Sequence, residues 1–268
     1  MPPHENMAVV PPHWYDDEYF AGNGKKSCWH GEVEDWQAWV KSAAEAAYRL
    51  SHTFPQAQSF LDIGCGRAQA VYGLRTAGKM AYGVEWSEAG CRRRLSPYVY
   101  RASAWQLPFA THSMDVAFSC DLLEHIPTER IPDVLREAHR VGKNGCHWIS
   151  VCTNGDVGDA RHFPDQDQSH VSVFTPQWWA RMFADTFPDQ TFFLASLTAD
   201  ITPYERYWGG LLVVSDHARL DAWREYFRLE KMRCRKETRL IARDVCFSVS
   251  RGTISCMPLS SFLEGHAG

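Results

Sequence analysis

Two acids and a pair of glycines stand at the ends of apolar runs, and their types and spacing define a chemistry. The run that begins at Ser59 reaches Asp62 and is followed by Gly64-Cys65-Gly66. Glycines at such a turn let the chain bend sharply and let a ligand approach the backbone. The helix-like stretch that follows offers unpaired N–H groups to an anion. A dinucleotide fingerprint places Gly or Ala at the sixth position of this motif for close helix packing, and Gln69 stands there instead, which speaks against a nicotinamide. The second apolar run ends at Glu85, close to the offset of ~20 residues at which an acid accepts hydrogen bonds from adjacent sugar hydroxyls. Trp86 follows, with a face suited to stacking on a purine. A third run ends at Ser103-Ala104 and a fourth at Asp121, followed by Glu124 and His125.

Parallel strands are the elements that bring such residues together. Strand-like runs at 59–64, 80–86, 98–103, 115–120 and 146–153 alternate with helix-like runs at 68–77, 87–96 and 128–141. That alternation predicts a doubly wound α/β domain with crossover helices, whose ligands sit beyond the carboxyl ends of the strands. A helix at 176–186 and apolar runs at 191–197 and 209–215 complete a sheet of seven strands. Ahead of them, apolar positions from Trp36 to Ala47 recur at helical spacing after the cap candidate Asp35. The expected organisation is an N-terminal cap and entry segment (1–55), the ligand-binding domain (56–215) and a C-terminal helical extension (216–268).

Composition narrows the classes. A net charge of −4 gives no global reason to bind nucleic acid. The nine cysteines are an odd number with no CxxC pair, which fits reduced thiols and a cytoplasmic location. The N-terminus lacks the basic start and apolar run of a signal peptide, and no stretch is apolar over the ~20 residues that a membrane span requires.

The stretches LDIGCGRAQ (61–69), GVEWSEAG (83–90), ASAWQLPF (102–109), MDVAFSCDLLEHI (114–126) and LREAHRVGKNG (135–145) resemble the class I methyltransferases that use S-adenosylmethionine. HVSVFTPQWWARMF (170–183) and WYDDEYF (14–20) are similar to segments of the branch that acts on small molecules. The resemblance implies a Rossmann-like fold and methyl transfer with S-adenosylhomocysteine as product. Residue by residue it implies that Asp62, Gly64, Cys65 and Gly66 cradle the methionine part of the cofactor, and that Glu85 binds the ribose with Trp86 beside the adenine. It further implies that Ser103 and Ala104 border the adenine, with Asp121 near the methionine end. This chain departs from the pattern at Ala68, where a third glycine is frequent, and at Ser103, where an Asp commonly meets the adenine amino group.

A methyl acceptor that keeps its proton near neutral pH needs a base. His170, His125 and His162 are the candidates, against the alternative that each only shapes the pocket. His170, just past the fifth strand, has the first claim and His125 the second. Asp156, Asp159, Asp165 and Asp167 share a loop with histidines but show neither EF-hand nor HExxH spacing, so no metal is expected. Arg92, Arg93 and Arg94, with the basic stretch 219–243, form either a phosphate-binding face or a solvated surface. The expected activity is methylation of an O or N atom of a small molecule, such as a specialised metabolite, sugar or lipid-like compound. Methylation of RNA or protein through the basic stretch, and cofactor binding without catalysis, are the alternatives. Oligomeric state is left open.

Overall fold

The computed structural model describes residues 10–20, 36–152, 169–201, 206–214 and 245–264. Nine strands among these residues form one sheet: β1 (Ser59–Ile63), β2 (Met80–Glu85), β3 (Val99–Arg101), β4 (Met114–Cys120), β5 (Gly142–Cys152), β6 (Thr191–Ile201), β7 (Arg206–Val214), β8 (Val245–Ser250) and β9 (Thr253–Pro258). Their order is β3-β2-β1-β4-β5-β7-β6-β8-β9. The first five strands are parallel, and the remaining pairings are antiparallel. The chain winds outward from β1 through β2 to β3, then crosses back to β4 on the other side of β1. The β1–β4 junction is therefore the topological switch point, where open parallel sheets bind ligands.

Period-two alternation in the strands feeds two cores. Leu61, Ile63 and Ala117 pack with Ile131, Val134, Leu135 and Ala138 of α4 (Ile131–Val141), and with Trp179, Ala180 and Phe183 of α5 (Pro176–Thr186). Phe60, Val116 and Phe118 pack with Leu50 of α1 (Trp36–Thr53), and with Val71 and Leu74 of α2 (Gln69–Thr76). Helices thus cover both faces of the parallel half. The α1 segment, expected within an N-terminal cap, is one of these covering layers. It lies so close to α2 that a Cβ on Gly73 would run into the Ala43 carbonyl. A short helix, α3 (Glu88–Arg92), follows β2.

Of the expected helical extension (216–268), the described part is largely strand and takes the sheet beyond seven strands. Its described residues form the β8–β9 hairpin and one short helix, α6 (Leu259–Leu263). The alternating stretch Val245–Ser250 buries Cys246, Phe247 and Val249. Arg251 and Gly252 carry positive φ of 48° and 72°, the pair that a two-residue hairpin turn demands. The basic stretch 219–243 lies outside the described residues, as do His162 and the four aspartates of the 154–170 loop.

Candidate active site at the strand ends

The turn after β1 is built by three residues at positive φ: Gly64 (72°), Gly66 (51°) and Ala68 (63°). The Gly64 and Cys65 amides both donate to the Val84 carbonyl, at 2.8 and 2.9 Å, so the turn is anchored on β2. A side chain at Gly64 would meet Leu122 Cδ1 at 2.6 Å, just past the end of β4. Cys65 is buried, with its Sγ packed against Gly83. Its thiol therefore belongs to the core, and only its backbone belongs to the turn.

Asp62 and Glu85 are both buried, at 5% and 7% exposure. Glu85 is held on every side. Its Oε1 accepts from the Ser87 amide at 2.7 Å and the Ser87 hydroxyl at 2.6 Å, and its Oε2 accepts from the Gly66 amide at 3.0 Å. Burial raises its pKa, and these hydrogen bonds oppose the rise. Ser87 also caps α3 by accepting from the Gly90 amide at 3.1 Å. Asp62 has no comparable support among the described residues. Burial, and then the charge of Glu85, push its carboxyl up to about 8. With Glu85 close enough to be felt, the buried Asp62 keeps its proton at pH 7 unless a cation is supplied.

Aromatic rings border this acid pair. Trp86 meets Trp105 edge to face at 4.9 Å, forming an aromatic corner beyond β2 and β3. Ala104 is buried and Ser103 half-buried in the same segment. Asp121 follows β4 with φ of 53°, a left-handed conformation that Asp tolerates better than most residues.

His125 and His170, the two histidines expected to do chemistry, come together with ring centroids 4.5 Å apart. His125 Nδ1 lies 2.9 Å from the Ser169 hydroxyl. The Glu124 carbonyl accepts from the amides of both Val171 and Ser172 at 2.9 Å, and the Ser172 hydroxyl donates to the Ile126 carbonyl at 2.6 Å. These bonds fasten the segment after β4 to the one leading into α5. Burial, and then His170, push the His125 pKa well below that of a free histidine, so its ring is neutral at pH 7.

Further rings run across the strand ends. Phe20 approaches within 3.7 Å of where a Gly66 Cβ would lie. Phe20 meets Tyr19 at 5.2 Å, Tyr19 meets Tyr15 at 4.9 Å, and Tyr15 meets His125 at 6.0 Å. The segment is fixed at its middle by Asp17, whose carboxylate binds Arg92 Nη2 and Arg93 Nε, each at 2.7 Å. Two members of the basic run are thus paired with an acid of the same chain at its surface. Sequence reading missed Ser87, Ser169, Trp105 and the Asp17 clasp. Only Ser87 had a local signal, as a serine placed before a short helix.

No group of three or more metal-ligating side chains occurs among the described residues, and no described helix is long and apolar enough to cross a membrane. Residues 61–149 match the family model of a methyltransferase domain. Comparison with curated proteins gives no match. Among solved structures, the chain is similar to a SAM-dependent methyltransferase of Thermotoga maritima (17% identity, 68% of this chain and 95% of that one, TM-score 0.46). It is also similar to one from Archaeoglobus fulgidus (12%, 65% and 94%, 0.49) and to the magnesium protoporphyrin IX methyltransferase of Synechocystis with bound SAM (15%, 79% and 100%, 0.49). The stretch matched by the methyltransferase-domain model, residues 61–149, carries both the glycine turn and the acid pair.

Proposed function

We propose that the chain transfers a methyl group to an O or N atom of a small-molecule acceptor, with His170 as the general base. The observation that carries this reading is the file of rings Phe20–Tyr19–Tyr15–His125–His170. It runs from the glycine turn to the histidine pair and lines the strand ends with aromatic faces, which suits a small acceptor. The engagement of Arg92 and Arg93 by Asp17 removes two cations from any phosphate-binding face, which weighs against an RNA acceptor.

The residues fit the cofactor. S-adenosylmethionine brings a methyl group activated by a sulfonium, with an ammonium, a ribose diol and an adenine. The buried Asp62 carboxyl, raised toward neutrality, answers the positive end. Gly64 and Gly66 leave room for the amino-acid portion, with the Cys65 backbone between them. Glu85 is held by Ser87 and Gly66 in a fixed pose for the diol. Trp86, with Trp105, Ser103 and Ala104, lines the adenine side, and Asp121 lies at the methionine end.

His125 and His170 are both half-buried, and His170, on the segment leading into α5, receives the acceptor's proton. His125, neutral and bonded to Ser169, positions it. Placement of acceptor and donor supplies much of the rate, up to about 7–11 kcal/mol in well-oriented systems. The five described free cysteines accord with a cytoplasmic enzyme.

The test is methyl transfer from labelled S-adenosylmethionine across a panel of small hydroxylated and amine acceptors, with a mixed RNA sample alongside. His170→Gln is expected to lower kcat by roughly 10²–10⁴ while S-adenosylhomocysteine binds as in the wild type. Labelling of RNA alone, or turnover unaffected by His170→Gln, overturns the reading.

A further inference from the structure

The segment 10–20 is joined to the domain in a way that sets it apart from the layers beneath. Its turn is held by bonds of its own: Asp16 Oδ1 accepts from the Glu18 and Tyr19 amides at 3.0 and 3.1 Å, and the Phe20 amide donates to the Asp16 carbonyl at 3.2 Å. Tyr15, Tyr19 and Phe20 therefore travel together as one small rigid unit. Val10, nearly fully buried at 2% exposure, anchors its beginning. At its middle, Asp17 presents one carboxylate oxygen to Arg92 and the other to Arg93 at the end of α3. Phe20 lies over Gly66, and Tyr15 lies beside His125. Gly66 follows β1 and His125 follows β4, so the unit crosses the switch point of the sheet.

We propose that Asp17 is a positioning residue that clasps this ring-bearing turn over the carboxyl ends of β1 and β4, and that release of the clasp opens the site for cofactor exchange. The proposal rests on the site assigned above. The clasp has the properties of a releasable contact. Its partners are exposed, at 56% for Asp17 and 54% and 36% for Arg92 and Arg93. Exposed ion pairs are individually weak and are screened by salt. Two guanidinium groups on one carboxylate nevertheless fix its direction, as charge-assisted hydrogen bonds do. The rings of the unit also touch the domain, Phe20 over Gly66 and Tyr15 beside His125, and such ring contacts tolerate small displacements.

Two measurements on the full chain test this. The first is hydrogen–deuterium exchange of the peptide covering residues 14–20 in the wild type, Asp17→Asn, Asp17→Glu and Arg92→Gln/Arg93→Gln. Exchange is expected to rise at least fivefold in Asp17→Asn and in the arginine double variant, with Asp17→Glu recovering part of the protection. The second is stopped-flow dissociation of S-adenosylhomocysteine. It is expected to accelerate three- to tenfold in Asp17→Asn, and with added salt in the wild type, while the salt effect vanishes in Asp17→Asn. Unchanged exchange in both charge-removing variants overturns the clasp. Increased exchange with an unchanged dissociation rate overturns its role in cofactor exchange. If the wild type binds no S-adenosylhomocysteine, the gating claim falls with the cofactor site, and the exchange data still decide whether the clasp exists.

Discussion

The Gly66 amide donates to Glu85 Oε2 at 3.0 Å, so the turn after β1 and the acid at the end of β2 form one unit. Asp62 lies beside that unit without comparable hydrogen bonds among the described residues, and its carboxyl is pushed up to about 8 by burial and by Glu85. Buried acids of this kind are common where a ligand supplies the missing charge.

Proton release on cofactor binding follows from the raised carboxyl. A cationic ligand favours ionised Asp62, so binding at pH 7 expels up to one proton. Affinity is then expected to rise by up to roughly tenfold per pH unit as pH approaches 8, and to level off above it. Calorimetric titration in buffers of different ionisation enthalpy measures the proton count directly. Asp62→Asn is expected to flatten the pH dependence and weaken binding. The same variant is expected to stabilise the ligand-free protein at pH 7 by about 2–4 kcal/mol. The raised folded-state pKa makes stability fall as pH climbs from ~4 to ~8, and asparagine removes that loss. A wild-type affinity indifferent to pH between 6 and 8 would count against the pairing of Asp62 with the cofactor's positive charge.

Backbone conformation and the Leu122 side chain both favour glycine at position 64. At φ of 72°, and with Leu122 Cδ1 only 2.6 Å from the position an added methyl would take, Gly64→Ala carries both backbone strain and a collision. The expected cost is about 2–4 kcal/mol, summed from the two effects. Leu122→Ala removes the collision but not the strain. The double variant is therefore expected to be less destabilised than the two single variants added together, by roughly 0.5–3 kcal/mol in a double-mutant cycle. Urea unfolding of the four proteins gives the coupling directly, and strict additivity would show that the turn and the end of β4 do not share this space.

The residues at this site were legible in the sequence where one strand end carries its own signal. Asp62, Glu85 and Asp121 each close an apolar run, and the glycines between Asp62 and the next helix mark the turn. The parallel half of the sheet followed from the same runs. What sequence reading missed is paired over distance: Asp17 with Arg92 and Arg93, and His125 with Ser169. No periodicity links such partners, because the fold alone brings them together. The β8–β9 hairpin was missed for another reason. Its six alternating residues follow a long basic and apolar stretch of helical character, and a short strand signal is outweighed by a longer helical one. The Arg251-Gly252 turn was the local clue that a hairpin follows.

Ser119 and His147 form a buried polar pair away from the site, hydroxyl to Nδ1 at 2.9 Å on paired strands β4 and β5. Burial, and then the nearby His139, hold the His147 pKa down to about 4. The imidazole is therefore neutral in the folded protein at pH values where it would be charged in an unfolded chain. A histidine with a lowered folded-state pKa gives stability that is complete above the unfolded value of ~6.5 and lost as pH falls toward 4. The loss from this one group reaches about 3 kcal/mol at pH 4, since each pKa unit corresponds to about 1.36 kcal/mol. His125 and His139 act in the same direction, so the wild type is expected to lose stability steeply below pH 6.5. His147→Gln removes one proton from that dependence. Its stability at pH 7 falls through lost packing and a weakened bond to Ser119, but its slope between pH 6.5 and 4.5 is shallower than the wild-type slope by up to one proton. Chemical denaturation at half-unit pH steps compares the two slopes, and parallel lines would show that His147 is not kept neutral by its burial between the two sheet strands and α5.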